Sequence, residues 1–301
     1  RTEMSIGKKR SDKRLYFLLI FPSVTILILT IGYPLINGII LGFHYYRLTD
    51  PVRGMVFNGL QNFQMLLFGN RIFWITLYRT FLYCLGSTGF SFFFGFLIAL
   101  LLYGPIRNRS LFRSLFLLPW VIPSTVVALL WLWIFNPQYG ILNFLLKDLG
   151  LISQFQSWLI NPSLAMPSVI LATSWKYFPF FMLMLLAGLE TIPKELFEAS
   201  TIDGATFFQR LRYIILPSLK EIIIIVTILE IIWEFQNFTI IWILTKGGPV
   251  YQTTTMGIQI YRTAFRNYDM GMGAAMGSLS LIVMLIFSLT YIKTLKFGEG
   301  D

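Results

Sequence analysis

Residues Gly188–Glu221 read GLETIPKELFEASTIDGATFFQRLRYIILPSLKE, the longest charge-rich stretch between two strongly apolar runs. Its regularity sets it apart from a slack loop. Residues Glu195 to Ala205 can form a short helix that ends in a turn at Gly204. After that turn, Phe207, Phe208, Leu211 and Ile215 recur at helical spacing, which predicts a second short helix with one apolar face. Two short amphipathic helices between membrane-length apolar runs describe a docking element at a membrane surface. A plain connector is the alternative that this pattern leaves open.

The rest of the composition points to the bilayer. Of 301 residues, 56% are hydrophobic, 13% are charged and 29 are Phe. A bilayer-spanning helix needs roughly 20 mostly apolar residues, and the chain supplies that length several times. Spans are expected at about 15–41, 72–103, 111–135, 164–188, 218–244 and 271–292. The fold class expected is therefore an all-α polytopic membrane protein with six transmembrane helices. The run from Leu15 lacks a small-residue cleavage motif and is too long for a leader, so it reads as a retained first span after a basic tail, residues 1–14. Pro119 and Pro123 should bend the third span. Thr245-Lys246-Gly247-Gly248-Pro249 should stop the fifth.

Several chemistries are excluded. Cys84 is the single cysteine and sits in an apolar run, and His44 is the single histidine, so neither a disulfide nor a thiolate or zinc cluster is expected. No phosphate-cradling GxxxxGK[ST] segment occurs, so the chain should not bind or hydrolyse ATP. Catalytic Ser/His/Asp or Cys/His groupings are also missing from the sequence.

The net charge of +10 is explained by topology. The tail, Arg107, Arg109, Arg113, Lys194, Arg210, Arg212, Lys220, Lys293 and Lys296 fall on one side of the expected spans. The opposite side holds Arg47, Arg53, Arg71, Lys147, Lys246, Arg262 and Arg266, a smaller set. The positive-inside rule then puts both termini and the Glu198 region in the cytoplasm. Nucleic-acid binding becomes unnecessary as an explanation.

A second candidate site lies within the spans. Glu230 and Glu234 share a helix face, Trp233 lies beside them, and Gln236 and Asn237 extend the polar zone. Lys176, followed by Tyr177, is the one lysine well inside an apolar span. Ionised groups at such depth are costly and face a pore or a partner helix. A polar pathway lined by Lys176, Tyr177, Glu230, Trp233, Glu234 and Asn237 is one reading. An intramembrane packing network with a Glu–Lys pair is a second, and a proton relay is a third.

Motif spacing adds a resemblance. Glu198-Ala199-Ser200, then Gly204, then Ile214-x-Leu216-Pro217 resembles the EAA motif of membrane subunits from binding-protein-dependent ABC importers. Leu118-Pro119-Trp120, Phe135-Asn136-Pro137-x-Tyr139-Gly140, Leu244-Thr245-x-Gly247-Gly248-Pro249 and Tyr261-Arg262-Thr263-Ala264-Phe265 look like the carbohydrate-uptake branch, of maltose and glycerol-phosphate type. The resemblance implies a type I importer permease fold in the prokaryotic cytoplasmic membrane. It implies a coupling segment at 194–217 in which Glu198, Ala199, Ser200, Asp203, Gly204 and Ala205 meet an ATPase subunit, and it carries sugar contacts onto the six pathway residues. The implied partners are a second permease, two ATPase subunits that hold ATP and Mg, a solute-binding protein and a carbohydrate. The chain is more charged at the sugar positions than the maltose type, which opens the alternative of an acidic saccharide or a polyol or glycerol-phosphate compound. An ion-coupled secondary carrier, with inverted repeats and broken helices, is the runner-up.

Overall fold

A computed structural model describes residues 18–296, with side chains to 293. The basic tail, 1–14, and the first three residues of the first expected span lie outside the described residues. The chain divides into two compact units, 1–69 with 260–281, and 70–259 with 282–301.

In the first unit, helix α1 (Leu18–Gly42) is one long apolar rod with a π turn at Ile28–Gly32. It leads into a minimal antiparallel hairpin, β1 (His44–Tyr45) and β2 (Val56–Phe57), in which His44 faces Phe57. The short helix α2 (Gln61–Gln64) carries Asn62, whose buried amide donates to the carbonyls of Gly42 and His44, each at 2.9 Å. Arg47 pairs with Asp269 at 2.6 Å, and the other Asp269 oxygen accepts from Met272 N.

The second unit is built on α3 (Arg71–Tyr103), whose start is capped by the Asn70 side chain. It continues through α4 (Arg109–Val121), α5 (Ser124–Ile134) and the short α6 (Ile141–Asp148) to the central helix α7 (Ala165–Thr191). Next come α8 (Lys194–Ile202), α9 (Phe207–Arg210), α10 (Leu216–Phe235) and α11 (Thr239–Thr245). Helices α12 (Met256–Tyr261) and α13 (Met270–Lys296) close the order, and both cross from one unit to the other.

Helix α7 is apolar enough to span a bilayer, yet most of it is buried within the protein. Its far half, from Phe180 to Leu189, forms a core with Ala99 and Leu102 of α3 and with Ile215, Leu219 and Val226 further along. Close approach is possible because α3 presents glycine. A Cβ on Gly95 would stand 2.5 Å from Phe181 Cβ, 2.7 Å from the Phe178 carbonyl and 2.8 Å from Met182 N.

The expected count of six spans is overturned. Among the described residues four helices are long and apolar enough to cross a membrane: α1, α3, α7 and α13, the last as Met270–Lys293. The count rises to five if α4 and α5, bent by 94°, form a single span. Two physical causes account for the difference. Pro123 has no N–H to donate, so the expected third span breaks between Val121 and Ser124. The expected fifth span carries Lys220, Glu221, Glu230 and Glu234 in a 20-residue helix, then opens at Gln236–Phe238 before α11. Such a helix is too polar to qualify by composition.

Packing at two of the three glycines of α3 yields a test. Gly95→Ala must displace backbone of α7 and should cost about 1–3 kcal/mol. Gly86→Ala meets only the flexible end of Ile170, at 2.7 Å, and should cost clearly less. Thermal midpoints of the detergent-solubilised protein check this, and equal losses would contradict the packing argument.

Candidate functional site

The coupling segment is ordered by local sequence. Pro193 precedes α8, and Glu195 lies in its first turn, where a carboxylate suits the helix dipole. The helix ends at Asp203, whose N–H reaches the Ala199 carbonyl at 3.0 Å. Gly204 follows with φ +70, a left-handed conformation that glycine adopts without strain. Ala205 N then bonds the Ser200 carbonyl at 2.9 Å, closing the turn. Thr206 and Gln209 form a capping box that starts α9. A π turn at Leu211–Ile215 joins α9 to α10 without a break.

Within that segment Glu198, Ala199, Asp203 and Gly204 are exposed, Ala205 is half-buried and Ser200 is buried. Ser200 Oγ donates to the Phe197 carbonyl at 2.7 Å. Phe197 turns inward and sets its ring 5.9 Å from that of Tyr103, which ties α8 to the end of α3. Leu196, Ile202, Phe207 and Phe208 stay exposed, Ile202 at 87%. An acidic and apolar surface is therefore presented together.

The second candidate site gathers at α3, α7 and α10. Glu234 is buried, and one of its oxygens accepts from the Tyr83 hydroxyl and from Asn237 Nδ2, the latter at 3.0 Å. Tyr83 also bonds Thr173 of α7 at 3.1 Å. Glu230 is fully buried, and neither of its oxygens has a hydrogen-bond partner; the second Glu234 oxygen is likewise unmatched. Trp233 is 43% exposed and leans on Phe180 with ring centroids 4.9 Å apart. Tyr177 interacts with Ser124 at the start of α5.

The six expected pathway residues thus converge only in part. Glu234 and Asn237 are bonded to each other, and Trp233 opens beside them. Lys176 points elsewhere: its ammonium donates to the carbonyls of Ile122 at 2.6 Å and Trp120 at 3.3 Å. Among the described residues it makes no ion pair with either glutamate. Groups of three or more His, Cys, Asp or Glu that could hold a metal ion do not occur among the described residues.

Sequence reasoning passed over Tyr83, Thr173 and Phe180. A signal for the first was present. Thr76, Thr80, Tyr83, Ser87 and Ser91 recur three or four residues apart along α3, all buried, as a polar stripe on one face. Ser174 Oγ of α7 meets this stripe at the Ser87 carbonyl, at 3.1 Å. Arg79 of α3 holds the loop after α11, donating to the Tyr251 carbonyl at 2.6 Å and to Gln252 at 3.1 Å. In that loop Thr253 and Thr254 bond the carbonyls of Gly248 and Gly247, so the Gly-Gly-Pro stop is a laced turn.

Apolar helices long enough to cross a membrane, a buried polar zone between α3, α7 and α10 and an ordered connector describe a polytopic membrane protein. The chain belongs to the binding-protein-dependent transport system inner membrane component family, whose signature matches residues 91–292. It is 33% identical over 292 residues to the trehalose/maltose transport system permease protein MalF of Thermococcus litoralis, covering 96% of each chain. It is 32% identical over 287 residues to the sulfoquinovosyl glycerol transport system permease protein SmoG of Agrobacterium fabrum, covering 95% of this chain and 91% of that one. Its fold matches a chain of a bacterial ABC transporter involved in the import of the acidic polysaccharide alginate, with a TM-score of 0.80 at 22% identity over 97% of this chain and 98% of that chain. The protein is accordingly an ABC-importer permease subunit that moves a solute across the membrane. As a family, these chains transport and leave catalysis to other subunits.

The geometry around Glu234 predicts a cost for losing either donor. Tyr83→Phe should destabilise the protein by about 1–3 kcal/mol, because the carboxylate then keeps a single donor in a buried site. Urea or thermal unfolding followed by Trp fluorescence measures it. An unchanged midpoint would mean that the hydroxyl is not holding Glu234.

Proposed function

We propose that the solute is a saccharide or a saccharide-like polyol, acidic forms included, and that the Glu198 segment passes the motion of an ATPase subunit to the pathway. The observation that carries the solute reading is Trp233. It is a half-exposed aromatic ring on Phe180, next in the chain to Glu234, whose carboxylate accepts from Tyr83 and Asn237. An aromatic face next to convergent polar groups suits the apolar face and the hydroxyls of a sugar ring. Relatives named for trehalose/maltose and for a sulfoquinovosyl glycerol support the same class. On this reading Tyr177, Trp233, Glu234 and Asn237 line the pathway, while Lys176 and Glu230 stand behind the lining.

The coupling reading is supported by the exposed face of α8, where Glu198 and Asp203 stand with Leu196 and Ile202 ahead of the Gly204 turn. ATP would close the ATPase pair, and α8 would carry that closure to α10 through the turn and the π segment. The partners on this reading are a second permease, two ATPase subunits and an extracytoplasmic solute-binding protein. The charge asymmetry supports cytoplasmic termini.

Two variants test it in the complete transporter reconstituted in liposomes. Glu198→Lys and Gly204→Val should abolish solute-stimulated ATP hydrolysis and uptake while the complex still assembles. Gly204 has open space for a Cβ within this chain, so Gly204→Val acts through the left-handed backbone or at the proposed ATPase contact, and not through packing inside the subunit. Retention of both activities would sink the coupling reading. Trp233→Ala should raise the solute concentration for half-maximal uptake, assayed with labelled maltose, trehalose and uronate oligomers.

A further inference from the structure

The bend between α4 and α5 is held by a side chain from outside both helices. At 94° the turn takes the backbone out of helical register, and Pro123 offers no N–H. The carbonyls of Trp120 and Ile122 are left outside the helical ladder, and both are met by Lys176 from α7. Lysine is well suited to this, since an ammonium carries three donors and a positive charge favours the carbonyl end of a helix. Lys176 is only 5% exposed. Four residues on, Phe180 stacks on the Trp120 ring at 6.1 Å and meets Trp233 of α10 at 4.9 Å. Helix α7 therefore grips the end of α4 at two points, one charged and one aromatic, and the aromatic one reaches α10.

The same ammonium has an alternative set of acceptors. Among the described residues, three buried carboxylate oxygens of Glu230 and Glu234 have no donor, and Lys176 forms an ion pair with neither residue. Unmatched carboxylate oxygens in a buried site are costly, and an ammonium that reached them would relieve that cost. Thr173, one turn before Lys176 on α7, bonds Tyr83, which in turn bonds Glu234, so the ammonium and the carboxylate network share the same stretch of α7.

We propose that Lys176 is the positioning residue of the bent helix pair, and that its ammonium passes from the Trp120 and Ile122 carbonyls to the Glu230–Glu234 carboxylates as the bend changes during transport. In the state described here it clamps the bend. In the other state it neutralises the acidic pair and releases the end of α4. The proposal rests on the transport reading for the existence of a cycle, and it treats Lys176 as a support of the pathway, not a ligand for the solute.

The test uses the complete transporter in lipid nanodiscs and liposomes. Spin labels are placed on either side of the bend through Leu115→Cys and Leu130→Cys, both exposed positions, while the native Cys84 is buried. Label-to-label distances are recorded without nucleotide and with trapped ATP, alongside uptake. Lys176→Met should broaden the nucleotide-free distance distribution and lower maximal uptake about tenfold or more, a ratio that loss of either of its two charge-assisted hydrogen bonds already supplies, with half-saturation unchanged. Lys176→Arg, able to reach the same two carbonyls, should restore the narrow distribution and most of the uptake. Glu230→Gln with Glu234→Gln should suppress the distance change that ATP produces in the unaltered protein. An unchanged distribution in Lys176→Met overturns the clamp. An ATP-induced change that survives the double glutamine variant overturns the exchange. A raised half-saturation with unaltered distances would make Lys176 a solute ligand and overturn the proposal. Failure of the saccharide reading shows differently, as absent uptake of every saccharide by the unaltered protein, and the distance measurement stays readable.

Discussion

Helix α7 is pressed against α3 closely enough that one methyl group at Gly95 would collide with backbone, and much of the second unit follows from that contact. Lipid tails are as apolar as leucine, so burial from water does little to draw two membrane helices together. Dispersion contacts and hydrogen bonds must do it, and both need short distances. At the Gly95 end the approach builds the Phe181–Leu189 core. Further along the same pair it brings Ser174 to the Ser87 carbonyl and Thr173 to Tyr83. Tyr83 then has its hydroxyl in place to hold Glu234 of a third helix. Without the glycine seat, the polar stripe of α3 would face hydrocarbon.

Much of this architecture was legible in the residues. Apolar run length located α3, α7 and α13 to within a few residues, because the bilayer imposes a length that little else does. The Gly204 turn was legible as well, since a left-handed residue between two amphipathic segments leaves a glycine in the sequence. Failures came where tertiary chemistry overrode local pattern. Hydropathy averages across a proline, so the run from Leu111 to Phe135 looked continuous, although Pro123 turns it through a right angle. The run from Ser218 to Leu244 has the length of a span, while its four charged residues and the opening at Gln236 decide its character.

The candidate site was legible in its residue types and less so in its pairings. A glutamate four residues from another, and a lone buried lysine, were costly enough to stand out. Charge alone left a pairing of Lys176 with those glutamates as one of three readings, whereas the structure gives it carbonyls at the bend between α4 and α5. Such acceptors leave no mark in a sequence. Tyr83 was hidden for the opposite reason: its hydroxyl sits in an aromatic-rich apolar run, and only the recurrence of Thr, Tyr and Ser along one face announces it.

The uninterrupted backbone from Phe207 through the π turn to Phe235 bears on how signals move in this protein. At about 1.5 Å per residue it is a strut of roughly 40 Å. One end abuts the Gly204 turn, and the other carries Trp233 and Glu234. A strut of this kind has no slack to take up, so displacement at one end arrives at the other at once, scaled by wherever the pivot lies. The core residues Ile215, Leu219 and Val226 lie around the middle of that length, between Phe207 and Phe235. On the proposed coupling, the two arms are nearly equal, and a push at the surface would reach the interior at about its own size and in the opposite sense. The strut would then act as a balanced rocker.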